Sequence, residues 1–202
     1  MLKKFKKGDI NILICTQVGL KKTLLPKVEF ATVMTFDIIL NLPDFRTGER
    51  IMYIADILGT ISATPILIQT YITDNYLMQL FNRDISKKTL MSEFLKQELH
   101  NRRQLSFPPY SQLIKLDFYH KDLNVVIANA ELAKNKLTTQ LLHLGIPEDK
   151  FMIMGPSPAF IPRVNNRYIY QIMIKSKLDD IQIRNKVLNV AAGNCRIDVD
   201  PI

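Results

Sequence analysis

Tryptophan is absent from this 202-residue sequence, and cysteine occurs only twice, at Cys15 and Cys195. Neither thiol has a close partner of its own kind, and the three histidines are far apart. Spacing therefore supports no zinc centre, and no metal site is assigned. Both cysteines lie in apolar, strand-like runs, so buried thiols in a reducing compartment are expected. No apolar stretch reaches the length of a transmembrane helix, and no membrane partner is expected. The start, MLKKFKKGD, has no apolar core of the signal-peptide kind. A cytoplasmic location is the expectation. No GxxxxGK[ST] phosphate loop and no GxSxG turn occurs. No residue is assigned a catalytic role.

The chain is 47% hydrophobic, with seven Tyr and ten Phe. Its length suits one domain or two small ones with a real core. The formal charge of +8 argues for an acidic partner: nucleic acid, a membrane surface or an acidic protein segment. The cations are scattered, except for the cluster Lys3, Lys4, Lys6 and Lys7. That cluster is either a phosphate-steering element or a solubilising terminus.

The first 72 residues read as one edge of an α/β sheet. Apolar runs at 10–15, 29–37 and 65–71 predict strands. A helix is predicted over 41–59, with Asp44 as its cap and Arg46, Glu49 and Arg50 on its first turns. Asp37 is placed at a strand end, where it is either a metal carboxylate or a structural group. Residues 73–110 read as a helical linker. It has a short helical piece near 74–81 and an amphipathic helix over 86–103 with a basic end at Arg102 and Arg103. Pro108 and Pro109 must break that helix. Phe107 and Tyr110 beside them either anchor the linker or offer a platform for nucleobases.

Residues 111–202 predict the order βαββαβ. The elements are a strand at 112–119, a helix at 123–144, a short strand at 151–154, a Pro-rich loop, a strand at 168–175, a helix at 177–191 and a strand at 195–199. On the long helix the apolar stripe is read as Leu123, Ile127, Ala130, Lys134, Leu137, Leu141 and Leu144. Ser176 and Asp179 are read as a capping box. The Pro-rich loop carries Arg163 and Arg167 and feeds a strand with Tyr168 on one face and Lys175 on the other. This is either an anion surface or a stiff connection with solvated arginines.

Several segments resemble the C-terminal portion of the PriA family, the primosomal protein N′ helicases of replication restart. They are GDINILICTQV at 8–18, NLPDFRTGER at 41–50, IQTY at 68–71, ELHNRRQLSFPPY at 98–110, the stretch 155–175 and IDVDP at 197–201. The resemblance implies a partial RecA-like second helicase lobe followed by a small ferredoxin-like α+β domain. It marks Thr16, Gln17, Lys21, Asp37, Asp44, Arg46, Glu49 and Arg50 as remnants of helicase motifs. It also marks Arg163, Arg167, Tyr168 and Lys175 as DNA-contacting, with Arg102, Arg103 and the Lys3–Lys7 cluster secondary. Its implied partners are DNA, the tail of the single-stranded DNA-binding protein, and a separate N-terminal helicase half. The departures are specific. Lys22 and Thr23 replace a glycine and a histidine of the family, and DILGTISAT stands where the family has the two ATP-reaching arginines. No ATP or zinc cofactor and no ATP hydrolysis is therefore expected of this chain.

Overall fold

The computed structural model describes residues 1–20, 25–177, 180–191, 193 and 195–200. The chain forms two compact units, Met1–Lys96 and Gln97–Ile202.

In the first unit, α1 (Leu2–Lys7) carries the four N-terminal lysines and stops at Gly8, whose φ of 80° is left-handed. After it come β1 (Thr32–Val33), α2 (Phe36–Leu40), α3 (Thr47–Ile61), β2 (Leu67–Ile68), α4 (Tyr76–Phe81) and α5 (Lys87–Gln104). The division between the units falls inside α5. β1 and β2 pair in parallel, with Thr32 opposite Leu67 and Val33 opposite Ile68, and Val28 bridges to Ser62 in the same sense.

Three expectations need correcting. Residues 10–15 form no strand. Ile12 is 79% and Ile14 84% exposed, and Cys15 is exposed rather than buried. An apolar run becomes a strand only where a neighbour accepts its backbone, and no described segment does so. The predicted strand at 29–37 shrinks to β1, because Phe36 and Ile39 reach the core at helical spacing within α2. The helix predicted from residue 41 starts at Thr47 and runs past Gly59 to Ile61. It buries Ile51, Ile54, Leu58 and Ile61, three and four residues apart. Asp44 does not cap it directly. Its carboxylate accepts the Arg46 amide at 2.9 Å, and its carbonyl accepts the Thr47 hydroxyl at 2.8 Å. The caps of α4 and α5 are side chains: Asn75 accepts the Leu77 amide and Ser86 the Thr89 amide.

The second unit holds β3 (Gln112–His120), α6 (Leu123–His143), β4 (Phe151–Val164), β5 (Arg167–Ser176), α7 (Ile181–Asn189) and β6 (Arg196–Val199). The strands make one antiparallel sheet in the order β4-β5-β3-β6. Ile114, Leu116 and Phe118 of β3 face the same core as Ile172 and Ile174 of β5, under α6 and α7. Each fully buried aliphatic here contributes roughly 1.5–3 kcal/mol. The buried stripe of α6 is Val126, Ala130, Ala133, Leu137 and Leu141. Of the stripe expected from sequence, Ala130, Leu137 and Leu141 are buried and Ile127 packs against the same core, whereas Leu123 and Leu144 are exposed. Two alanines in the stripe let the helix lie close to the sheet. Asp122 caps α6 and Asp180 caps α7, each accepting two amides. The capping box predicted from Ser176 and Asp179 fails: Ser176 ends β5, and Asp179 lies outside the described residues.

The segment read as a Pro-rich loop is instead part of β4, an edge strand of fourteen residues. Prolines are tolerated at an edge and at bulges, and β4 has two irregularities, after Met154 and after Pro158. Gly155 sits in the first with φ at 99°, and a Cβ there would meet the Gln171 carbonyl oxygen at 2.9 Å. Near the start of this unit, Glu98 and Arg102 are both buried on α5, with Arg102 Nε donating to Glu98 Oε1 at 2.8 Å.

Two stability predictions follow from these contacts. Gly155→Ala should cost on the order of 1–3 kcal/mol through forced backbone conformation and the close carbonyl. Urea unfolding followed by circular dichroism checks this, and an unchanged midpoint contradicts it. Glu98→Ala leaves a buried guanidinium without its carboxylate and should cost roughly 3 kcal/mol. The Glu98→Met/Arg102→Met double variant should recover much of that loss in the same measurement.

Candidate nucleic-acid interface

The hairpin formed by β4 and β5 turns on two residues, Asn165 and Asn166, with φ of 48° and 61°. Both are left-handed, as a type I′ turn requires, and asparagine tolerates that conformation better than most residues. The turn places Val164 opposite Arg167 and Arg163 opposite Tyr168. Arg163 lies 4.9 Å from the Tyr168 ring centroid, and its guanidinium also donates to the Asn166 side chain. One face of Tyr168 is therefore taken by Arg163, and the residue also packs against the core. Arg163 and Arg167 are exposed. Between Asp149 and Asp179 the sequence holds no carboxylate and five cations: Lys150, Arg163, Arg167, Lys175 and Lys177. The hairpin is thus a one-signed charged element suited to anions.

Lys175 is not part of that tip. It lies seven residues along β5 from Tyr168, roughly 24 Å at strand rise. Its Nζ donates to the Leu105 carbonyl at 2.5 Å and sits 4.1 Å over the Phe107 ring. Burial lowers its pKa, and Lys177 adds to the effect. The aliphatic stem and ammonium hold the Leu105–Phe107 segment in place. Arg103 is exposed and lies 5.2 Å from the Tyr110 ring, while Arg102 is buried against Glu98 and also donates to the Pro108 carbonyl at 3.3 Å. The structure therefore brings together Arg163, Arg167 and Tyr168. It sets Lys175 apart with Phe107, and gives Arg102 an interior partner.

On the sheet face away from α6 and α7, Asp117 is buried beside Lys115, 3.2 Å away, and the Tyr119 hydroxyl at 3.4 Å. Burial and the Asp117 charge raise the pKa of Tyr119.

Four of the motif remnants in the first unit, Asp37, Asp44, Arg46 and Arg50, have visible partners. Asp37 lies in α2, not at a strand end, and accepts the Thr70 hydroxyl and the Tyr71 amide. Those bonds, the Thr70 hydroxyl foremost, lower its pKa. Asp44 pairs with Arg50 at 2.5 Å, Arg46 lies 4.9 Å from the Phe45 ring, and Glu49 occupies the first turn of α3. Thr16 and Gln17 are exposed at a short 3-10 turn. Lys21 lies outside the described residues. Among the described residues no cluster of three His, Cys, Asp or Glu side chains could hold a metal. None of their helices is long and apolar enough to cross a membrane.

Sequence reasoning missed Phe160, which is 66% exposed beside Ile161 at 60%. The signal was available as an aromatic between Pro158 and Pro162, but a loop reading gave it no direction.

Residues 103–202 match the family described as the primosomal protein N C-terminal domain. Across most of its length the chain is also similar to curated proteins named replication restart protein PriA. That of Bacillus subtilis is 30% identical over 182 residues, 88% of this chain and 21% of the relative. That of Borreliella burgdorferi is 28% identical over 187 residues, 87% of this chain and 26% of the relative. That of Chlamydia trachomatis is 26% identical over 215 residues, covering this chain fully and 27% of the relative. The chain thus spans about a quarter of the length of these relatives. Residues 103–202 belong to the primosomal protein N C-terminal domain family, and with them the chain takes its place as a relative of the C-terminal part of PriA.

Proposed function

We propose that this chain acts in replication restart as a primosome-associated protein that contacts forked or single-stranded DNA through the β4–β5 hairpin. The observation that carries this is the hairpin tip itself. Two exposed guanidinium groups, one braced on an aromatic ring, stand in a carboxylate-free stretch within the matched domain. Guanidinium forks suit phosphate oxygens, and such contacts supply most of the affinity for nucleic acid. The second unit is read as ferredoxin-like, which its element order and sheet order support. Tail binding by the single-stranded DNA-binding protein belongs to the same reading, as does a cytoplasmic location. ATP hydrolysis by this chain alone does not, because the sequence offers neither a phosphate loop nor the two arginines.

A second reading rests on the first unit, taken as part of a RecA-like lobe spanning residues 1–72 with a linker at 73–110. Its parallel pair, two residues per strand, is far below the size at which parallel sheets stand alone. Phe30, Met34 and Leu67 are exposed around it. A separate polypeptide supplying the rest of a helicase would cover such a surface.

The test of the first reading is a salt titration of labelled oligodeoxythymidine binding by fluorescence anisotropy. The Arg163→Ala/Arg167→Ala variant should bind more weakly at low salt. Its log–log salt slope should be shallower by about 1.4, two phosphates at about 0.7 each for a single strand. A slope equal to that of the unaltered chain removes the hairpin from the site.

A further inference from the structure

Between Pro158 and Arg163, β4 advances five residues while β5 advances only two, from Tyr170 to Tyr168. The surplus chain, Ala159 to Pro162, must leave the regular ladder. It does so between two prolines, whose fixed φ and missing amides stiffen the protrusion and leave few donors unpaired. Phe160 and Ile161 ride on it, and both are largely exposed. Phe160 thus leaves two-thirds of its surface in water on a stiff edge bulge. Three residues further along stands Arg163, followed by Arg167 across the turn.

From this we infer that Phe160 is the base-stacking residue of a single-stranded DNA site, with Arg163 and Arg167 on the flanking phosphates. The inference rests on the proposed DNA contact and assigns its aromatic partner. Tyr168, the aromatic expected from sequence, does not fill the role, because Arg163 takes one face of its ring and the residue packs against the core. Phe160 is three residues from Arg163 within a bulge whose ends span only about 7 Å of the neighbouring strand, within the reach of one or two nucleotides. The occupant is a single strand for two reasons. The carboxylate-free stretch around the bulge is complementary to a polyanion, and an exposed ring stacks only on a base that is not already stacked within a duplex. An apolar protein partner would use Phe160 and Ile161 but would draw no benefit from the two guanidiniums beside them, and an anionic lipid surface, which would, is distinguished by the vesicle arm of the test.

The sequence has no tryptophan, so Phe160→Trp gives the intact chain a single indole at the proposed contact. Phe160→Ala should weaken oligodeoxythymidine binding roughly five- to a hundredfold, the range for losing one stacked base. It should leave the salt slope unchanged, since no phosphate contact is lost. Phe160→Trp should restore affinity, and its emission should be quenched at saturating oligonucleotide. A blunt duplex should be bound equally by the Ala variant and the unaltered chain. Equal single-strand affinity for the Ala variant, or an unquenched indole at saturation, overturns the stacking role. If the double arginine variant is still impaired in that case, the electrostatic site stands without Phe160. An emission blue shift with anionic vesicles and no quenching by oligonucleotide overturns it in favour of a lipid surface. Failure of the unaltered chain to bind single-stranded DNA at all removes both the inference and the reading beneath it.

Discussion

Strand β5 is paired along its length on both edges, to β3 on one side and β4 on the other. That double pairing is the constraint on which the second unit depends. Its even-numbered side chains, Ile172 and Ile174, are sealed beneath α6 with Leu116 and Ile114 opposite them. A slip of one residue would turn these into water and bring Met173 and Lys175 into the core, so the register is strongly fixed. With β5 fixed, the extra residues of β4 can only bulge outward, and the turn at Asn165–Asn166 can only present Arg163 and Arg167 where they are. The geometry of the tip is thus inherited from apolar packing some distance away.

The same packing separates two sets of cations that look equivalent in the sequence. Lys175 and Arg102 are drawn inward, one to a carbonyl and a phenyl ring, the other to a buried carboxylate. Their charges hold the segment from Glu98 to Tyr110 together. Arg163 and Arg167 stay in water, where phosphate can reach them. Charge count alone does not distinguish these fates. Burial and hydrogen-bond partners do.

Much of the second unit was legible because its strands alternate and its long helix has a clear start at Asp122 and a clear stop at Gly145. The stripe on α6, right at Ala130, Leu137 and Leu141 but without Val126 and Ala133, shows the limit of that method. Val126 and Ala133 are poorer markers than the leucines beside them, yet they face the sheet because small side chains allow close approach. In the first unit, runs such as INILIC have strand composition without a partner strand, and composition cannot report whether a partner is there. Phe36 departs from the strand expected over 29–37 for a related reason, since a short apolar run fits a strand and a short helix equally. The hairpin site was half legible. Its arginines stood out, but the bulge that lifts Phe160 depends on the offset between β4 and β5, which no single strand displays.

The most direct test of the account is an amide NMR titration of the intact chain with oligodeoxythymidine. The account predicts that shift changes concentrate at Phe160, Ile161 and Arg163 to Tyr168, with Leu105 to Tyr110 and Lys175 left largely unmoved. Changes centred on the latter set, or on the first unit with the hairpin silent, would contradict it.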